Sequence, residues 1–251
     1  MRGLLFDKDG TLLDFQASWG NAFRRLCLDL CDGDIKAAES MLERGGMSLS
    51  TGVFAAGSVL AAGNTLDLAR LWYPELSGDA LQRMVERLDR TFHANGVRHS
   101  VLLPGVRDTL ATLATAGFAM GVATSDGTAA ARAALHALGL DDHLPHVFGY
   151  DSVRQPKPAP DIVHAFCAAT RLTPGETVVI GDNSHDLEMA RSAGAGIAIG
   201  VLSGNSTADD LTALADVILD SVCDLPAWLK ARAVRDPAPE GAAGSGDAAR
   251  G

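Results

Sequence analysis

The chain predicts an α/β protein, a doubly wound parallel sheet with a small α-helical unit inserted near its start. Three observations carry this. The apolar run Leu4, Leu5 and Phe6 reads as a buried strand close to the first residue. After Gly96, short apolar runs rich in β-branched residues alternate with helical stretches, as crossover units of a parallel sheet do. Between them, residues 15–96 carry apolar side chains at three- and four-residue spacings, which belongs to helices.

In the insert, Trp19, Ala22, Phe23, Leu26 and Leu30 share one helical face. Further helices are expected over residues 35–44, 66–72 and 79–93, the last stopped by Asn95 and Gly96 as a C-terminal cap. Residues 47–64 are rich in Gly, Ser and Ala, which suits loops and close helix contacts. Pro104 and Gly105 open a helix to Ala116, and the next strand, residues 118–123, ends at Thr124 and Ser125. A helix over 127–138 closes at Gly139, and a short strand over 146–148 precedes a loop with Gln155, Pro156, Lys157 and Pro158. There follow a helix over 161–170 and a strand over 177–180 that stops on Gly181 and Asp182. A helix over 186–193 and strands over 197–199 and 217–219 complete the pattern. The expected organisation is a core from residues 1–14 and 97–234, an inserted helical cap over 15–96, and a disordered tail over 235–251, where Pro, Ala, Gly and charge replace any apolar period.

With 47% apolar residues the 251-residue chain has ample material for a packed interior. A formal charge of −10 and the lack of a dense Lys/Arg run exclude a nucleic-acid backbone as ligand. The apolar stretches are too short or too interrupted to span a membrane, and Met1 leads straight into the first strand without the pattern of a signal peptide. Cys27, Cys31, Cys167 and Cys223 show no C-x-x-C spacing and are expected to be reduced thiols. A cytoplasmic enzyme acting on a small anionic metabolite fits these features, and oligomeric state is not legible.

The first strand runs into Asp7 and Asp9, with Gly10 and Thr11 directly after. Two carboxylates so close repel one another unless a hard cation takes one and a proton or hydrogen bond engages the other. Alone, D-x-D-G is better explained by an Asp-Gly hairpin turn with solvated acids. Three later segments change the balance: Thr124 and Ser125 at the end of one strand, Lys157 in a loop, and Asp182 with Asp186 after another strand. Ligands of open parallel sheets bind outside the carboxyl ends of the strands, so these residues can converge. A hydroxyl and an ammonium suit phosphate oxygens, and several carboxylates suit the Mg²⁺ that screens one anion from another.

These segments, in this order, resemble the four motifs of the haloacid dehalogenase (HAD) superfamily of phosphohydrolases, in the style of phosphoglycolate phosphatase-like enzymes. The motifs are DKDGT at residues 7–11, GVAT ending at Thr124, Lys157 in KPAPD, and GDNSHD at 181–186, within a resemblance covering about residues 3–234. The resemblance implies a Rossmann-like core with Asp7 as nucleophile and Asp9 as general acid and base. It implies Thr124, Ser125 and Lys157 on the phosphate, and Mg²⁺ on Asp7, Asp182, Asp186 and the backbone carbonyl of Asp9. The implied activity is a Mg²⁺-dependent phosphatase acting on a small phosphorylated metabolite, phosphoglycolate-like, through an aspartyl-phosphate. The acid two residues after the nucleophile favours phosphoester chemistry over dehalogenation, and a phosphomutase of the β-phosphoglucomutase type shares every one of these residues. A non-enzymatic phosphoacceptor receiver domain also gathers acids, a Thr and a Lys, but it has no acidic motif after the Lys and no large helical insertion.

In the cap, Trp19, Arg24, Arg44, Ser58, Asn64 and Trp72 are candidates for touching substrate, each also well explained by packing or solvation. Lys8 would face away from its acidic neighbours were the strand to continue, and so reads as structural or as a local charge balance. His185 reads first as a helix-start residue, and Asp14 as the start of the first cap helix.

Overall fold

The computed structural model describes residues 1–235. Six strands form one parallel sheet: β1 (Gly3–Phe6), β2 (Ala119–Ala123), β3 (His146–Phe148), β4 (Thr177–Gly181), β5 (Ile197–Val201) and β6 (Val217–Leu219). Their order across the sheet is β3-β2-β1-β4-β5-β6, so β1 lies between the strands that carry the second and fourth acidic or hydroxyl segments. The order reverses at β1, and that is where an open sheet leaves a crevice at its carboxyl edge.

Alternation along the central strands divides the core. Leu4 and Phe6 of β1 and Val178 and Ile180 of β4 join one apolar cluster, while Leu5 and Val179 join the cluster on the other face. Both faces are covered by helices, so these strands are apolar throughout. The helices are α6 (Val106–Thr115), α7 (Thr128–Ala137), α8 (Asp161–Thr170), α9 (Ser184–Ala193), α10 (Ala208–Leu211) and α11 (Leu225–Arg235), numbered after the five described next.

Between β1 and β2 run α1 (Phe15–Leu30), α2 (Ile35–Arg44), α3 (Val59–Ala62), α4 (Thr65–Trp72) and α5 (Gly78–His99). Asp14 starts α1 by accepting from the Ala17 N–H, and Asn64 starts α4 with a reciprocal capping box to Asp67. These helices bury an apolar cluster of their own, built from residues between Phe15 and Phe92 and rich in aromatic rings. The chain leaves and re-enters the sheet side by side: Asp14 N donates to Val101 O, Leu103 N donates to Leu12 O, and the Ser18 hydroxyl accepts from Val101 N.

Two expectations are corrected. The helix expected to stop at His93 continues through Asn95 and Gly96 to His99. Gly96 is buried inside the helix, where a Cβ would make only ordinary contact with Ala134 on α7 at 3.8 Å, so it does not end its helix. The helix α11 was not foreseen, because Pro226 and short apolar spacing hide a helix whose Leu225 and Trp228 pack on the sheet. The tail expected from residue 235 lies, from 236 on, outside the described residues. Cys27, Cys31, Cys167 and Cys223 are free thiols, and burial pushes Cys27 up to about 12. Among the described residues no helix is long and apolar enough to cross a membrane.

Candidate active site

The strand geometry ends at Phe6, but Asp7 N still donates to Ile180 O, so the Asp7 side chain leaves the sheet beside the end of β4. There β4 delivers Asp182, and α9 begins at once with Asn183 as its cap. Asn183 accepts from His185 N, and Asp186 Oδ2 accepts in return from Asn183 N at 3.2 Å. The capping box thus fixes Asp186 with one oxygen while leaving the other directed at the site. The carboxylates of Asp7, Asp182 and Asp186, all buried, bring one oxygen each within 4.8 Å of one another.

Lys157 reaches in from its loop, with Nζ 2.6 Å from Asp7 Oδ1 and 2.5 Å from Asp186 Oδ1. Burial alone would lower its affinity for a proton, but Asp186 and Asp7 outweigh that and hold it above its ordinary value. The acids pay for their crowding. Burial, then the repulsion of Asp186 and Asp9 against the pull of Lys157, pushes Asp7 up to about 7. Asp182 is raised as well, by burial and by its two acidic neighbours.

Glycines let the chain close on Asp182. A Cβ on Gly10, which sits at φ +92°, would come within 2.5 Å of the Asp182 carboxylate, and one on Gly204 would overlap it. Asp182 Oδ2 accepts from Asn205 N at 3.1 Å, and the Ser203 hydroxyl donates to Gly10 O at 2.7 Å.

Asp9 stands apart from the three-acid cluster. Its Oδ1 accepts from the indole N–H of Trp19 at 2.7 Å, and its Oδ2 is paired with Lys8. Lys8 is fully buried and also lies 2.9 Å from Asp126. Lys8 thus balances local charge, one of the two roles expected of it; the far-face placement depended on a continuing strand, and β1 has already ended. Asp126 is raised by burial, with Lys8 opposing it and Asp9 adding to it.

Thr124 is buried at the end of β2, its backbone N donating to Phe148 O and its hydroxyl accepting from Asp126 N. The Ser125 hydroxyl donates to Ala62 O in the helical insert, so that group ties the two parts together. One pocket takes in Asp7, Asp9, Thr124, Ser125, Lys157, Asp182 and Asp186, all seven residues singled out from the sequence.

A model of the haloacid dehalogenase-like hydrolases matches residues 1–194. The chain belongs to that family. The phosphoglycolate phosphatase of Vibrio vulnificus (strain YJ016) is 27% identical over 230 residues, covering 87% of this chain and 96% of that protein. A probable phosphatase, IndB, of Dickeya dadantii (strain 3937) is 40% identical over 128 residues, 50% of this chain and 54% of its own length. A solved hydrolase from Pseudomonas syringae superposes with a TM-score of 0.66 at 25% identity, covering 92% of this chain and 99% of that one.

Of this hydrolase's candidate cap residues, Trp19 and Asn64 line the pocket. Trp72 donates to Met41 O and Arg44 to Leu71 O, contacts within the insert, and the Ser58 hydroxyl is buried without a partner. His185 lines the pocket beside its helix-start role. Sequence reasoning did not single out Asp126, the partner of Lys8, nor the loop of Ser203 to Asn205 that seats Asp182. An unexplained Lys between two acids was the available signal for the first, since a buried ammonium needs a counter-charge.

The donor set suits Mg²⁺. Three carboxylate oxygens within 4.8 Å of one another are hard donors of the kind that Mg²⁺ takes, close enough to be drawn onto one ion. The raised proton affinities of Asp7 and Asp182 express the same demand for positive charge.

Proposed function

We propose that this chain is a Mg²⁺-dependent phosphatase that hydrolyses a small phosphomonoester through an aspartyl-phosphate on Asp7. The observation that carries the reading is the division of labour between two acids one residue apart. Asp7 joins Asp182, Asp186 and Lys157, while Asp9 is held out of that cluster by Trp19 and Lys8, within the same pocket.

Asp7, Asp182 and Asp186 would hold the metal, which supplies charge neutralisation for the approach of one anion to another. Asp7 attacks phosphorus as the ester bond to the leaving oxygen breaks, and Asp9 passes a proton to that oxygen. Asp9 then takes a proton from water as the water oxygen attacks the phosphorus, which frees Asp7 and releases phosphate. Lys157 orients Asp7, and with Thr124 it borders the space for the phosphoryl oxygens. The helices over residues 15–96 act as a lid, supported by their separate apolar cluster and by the paired connections near Asp14 and Val101.

The test is phosphate release from a panel of small phosphoesters, with and without Mg²⁺. Asp7→Asn should abolish release with the fold intact, and Asp9→Asn should slow it by roughly 10²–10⁴-fold. Substantial turnover by a folded Asp7→Asn variant would refute the nucleophile. Isomerisation of a hexose phosphate without phosphate release would make the protein a mutase.

A further inference from the structure

We propose that the alcohol this hydrolase releases is uncharged and apolar on the side facing the lid, and that a second anionic group on the substrate, such as the carboxylate of phosphoglycolate, is selected against. This rests on the phosphatase reading above. The apolar part of the pocket lining is made by Phe15, Trp19, Phe23, Leu60, Leu68 and Phe92, with the Trp19 indole N–H on Asp9. The rings hold one another in place. Trp19 stacks on Phe23 with centroids 5.5 Å apart, and Phe92 meets them edge-on at 5.7 and 5.9 Å.

Facing that wall there is no spare cation. Among the described residues no arginine lines the pocket, and its lysine, Lys157, is occupied by Asp7 and Asp186. Lys8 is taken by Asp9 and Asp126. Arg44 is turned to Leu71 O, and Arg24 lines a separate groove with Arg25 and His99. Several neutral donors are engaged too, although the Asn64 and Asn183 side-chain N–H groups are not among them. The Leu66 and Asp67 N–H groups at the start of α4 close on Asn64 Oδ1, and the Thr65 hydroxyl donates to Asp89. His185 alone remains as a lining group able to gain charge.

A carboxylate pressed on such a wall loses its water and gains no partner, which is a large cost. A methyl-bearing carbon in the same place removes apolar surface from water, which is a gain. The cavity, about 60 Å³, leaves room for a phosphoryl group and a short chain.

Isobutyl phosphate and phosphoglycolate make the test, because their leaving groups have nearly the same shape and differ in charge. With Mg²⁺ present, kcat/KM should favour isobutyl phosphate at least tenfold, and equal or better use of phosphoglycolate would overturn the proposal. Leu60→Lys, which places an ammonium on the wall, should shift the ratio toward phosphoglycolate. Calorimetry on the unaltered protein reads the same preference without turnover, using the isosteres isopentylphosphonate and 3-phosphonopropionate. Tighter binding of the first supports the proposal, and equal or tighter binding of the second overturns it. If neither ester is hydrolysed, the binding ratio alone decides the character of the wall, and the phosphatase reading stands or falls on the wider phosphoester panel.

Discussion

Without metal, this protein should lose stability as the pH rises from 5 to 8, and Mg²⁺ should restore it mainly at the upper end. Asp7 has an ordinary value of 3.8 and is pushed up to about 7 in the folded chain by burial and acidic neighbours. Between those values the folded state keeps a proton that the unfolded state has released, so raising the pH favours unfolding. At 1.36 kcal/mol for each decade of proton affinity, the part of that rise lying between pH 5 and about 7 corresponds to about 3 kcal/mol. Asp182, raised by the same crowding, acts in the same direction. For a chain of this size such a loss lowers Tm by about 10 °C. Glu176 and Asp210, held low by hydrogen bonds from Thr173 and Thr207, change stability only below about pH 5 and do not blur the window. Thermal unfolding in chelator and in Mg²⁺ at both pH values measures the effect. Asp7→Asn should flatten the pH slope and be the more stable protein at pH 8 in chelator. A metal-free Tm that is level or rising from pH 5 to 8, or an equal Mg²⁺ effect at both, would refute the reasoning.

Three further perturbations separate the parts of the site. Lys8→Met strands Asp126 and Asp9 in the interior and should cost about 3–5 kcal/mol in urea unfolding, whereas Lys8→Met with Asp126→Leu should recover much of it; simple additivity would show that the pair is not coupled. Trp19→Phe keeps the ring against Phe23 and Phe92 but removes the N–H that holds Asp9, so kcat should fall about tenfold with little change in unfolding midpoint. An unaltered kcat would mean that the indole does not position Asp9. Gly204→Ala drives a methyl into the Asp182 carboxylate, and the Mg²⁺ concentration for half-maximal activity should rise about tenfold. A titration identical to that of the unaltered protein would contradict the seating of Asp182 by this loop.

The sequence by itself determined the fold class and singled out the residues that the fold gathers into one pocket. Local signals sufficed: apolar runs that stop on Asp7, Thr124 and Asp182 mark strand ends at one sheet edge, and helix starts after Asp14 and Asn64 carry their own capping residues. Residue types then named the site, because acids, a hydroxyl and a lysine at those ends suit a metal and a phosphate. What lay beyond reach depended on contacts between residues distant in the chain. Gly96 looked like a helix stop, yet the helix runs on to His99 with that glycine buried. Lys8 read as structural or as a local charge balance, but its second partner, Asp126, lies far along the chain and is brought to it only by the fold. The aromatic wall is likewise a tertiary fact, since the spacing of Phe15, Trp19 and Phe23 shows a buried helical face and only the closed packing shows that the face is also a roof over the acids. Periodicity reports which side of an element is buried, whereas the partner it is buried against is chosen by the fold as a whole.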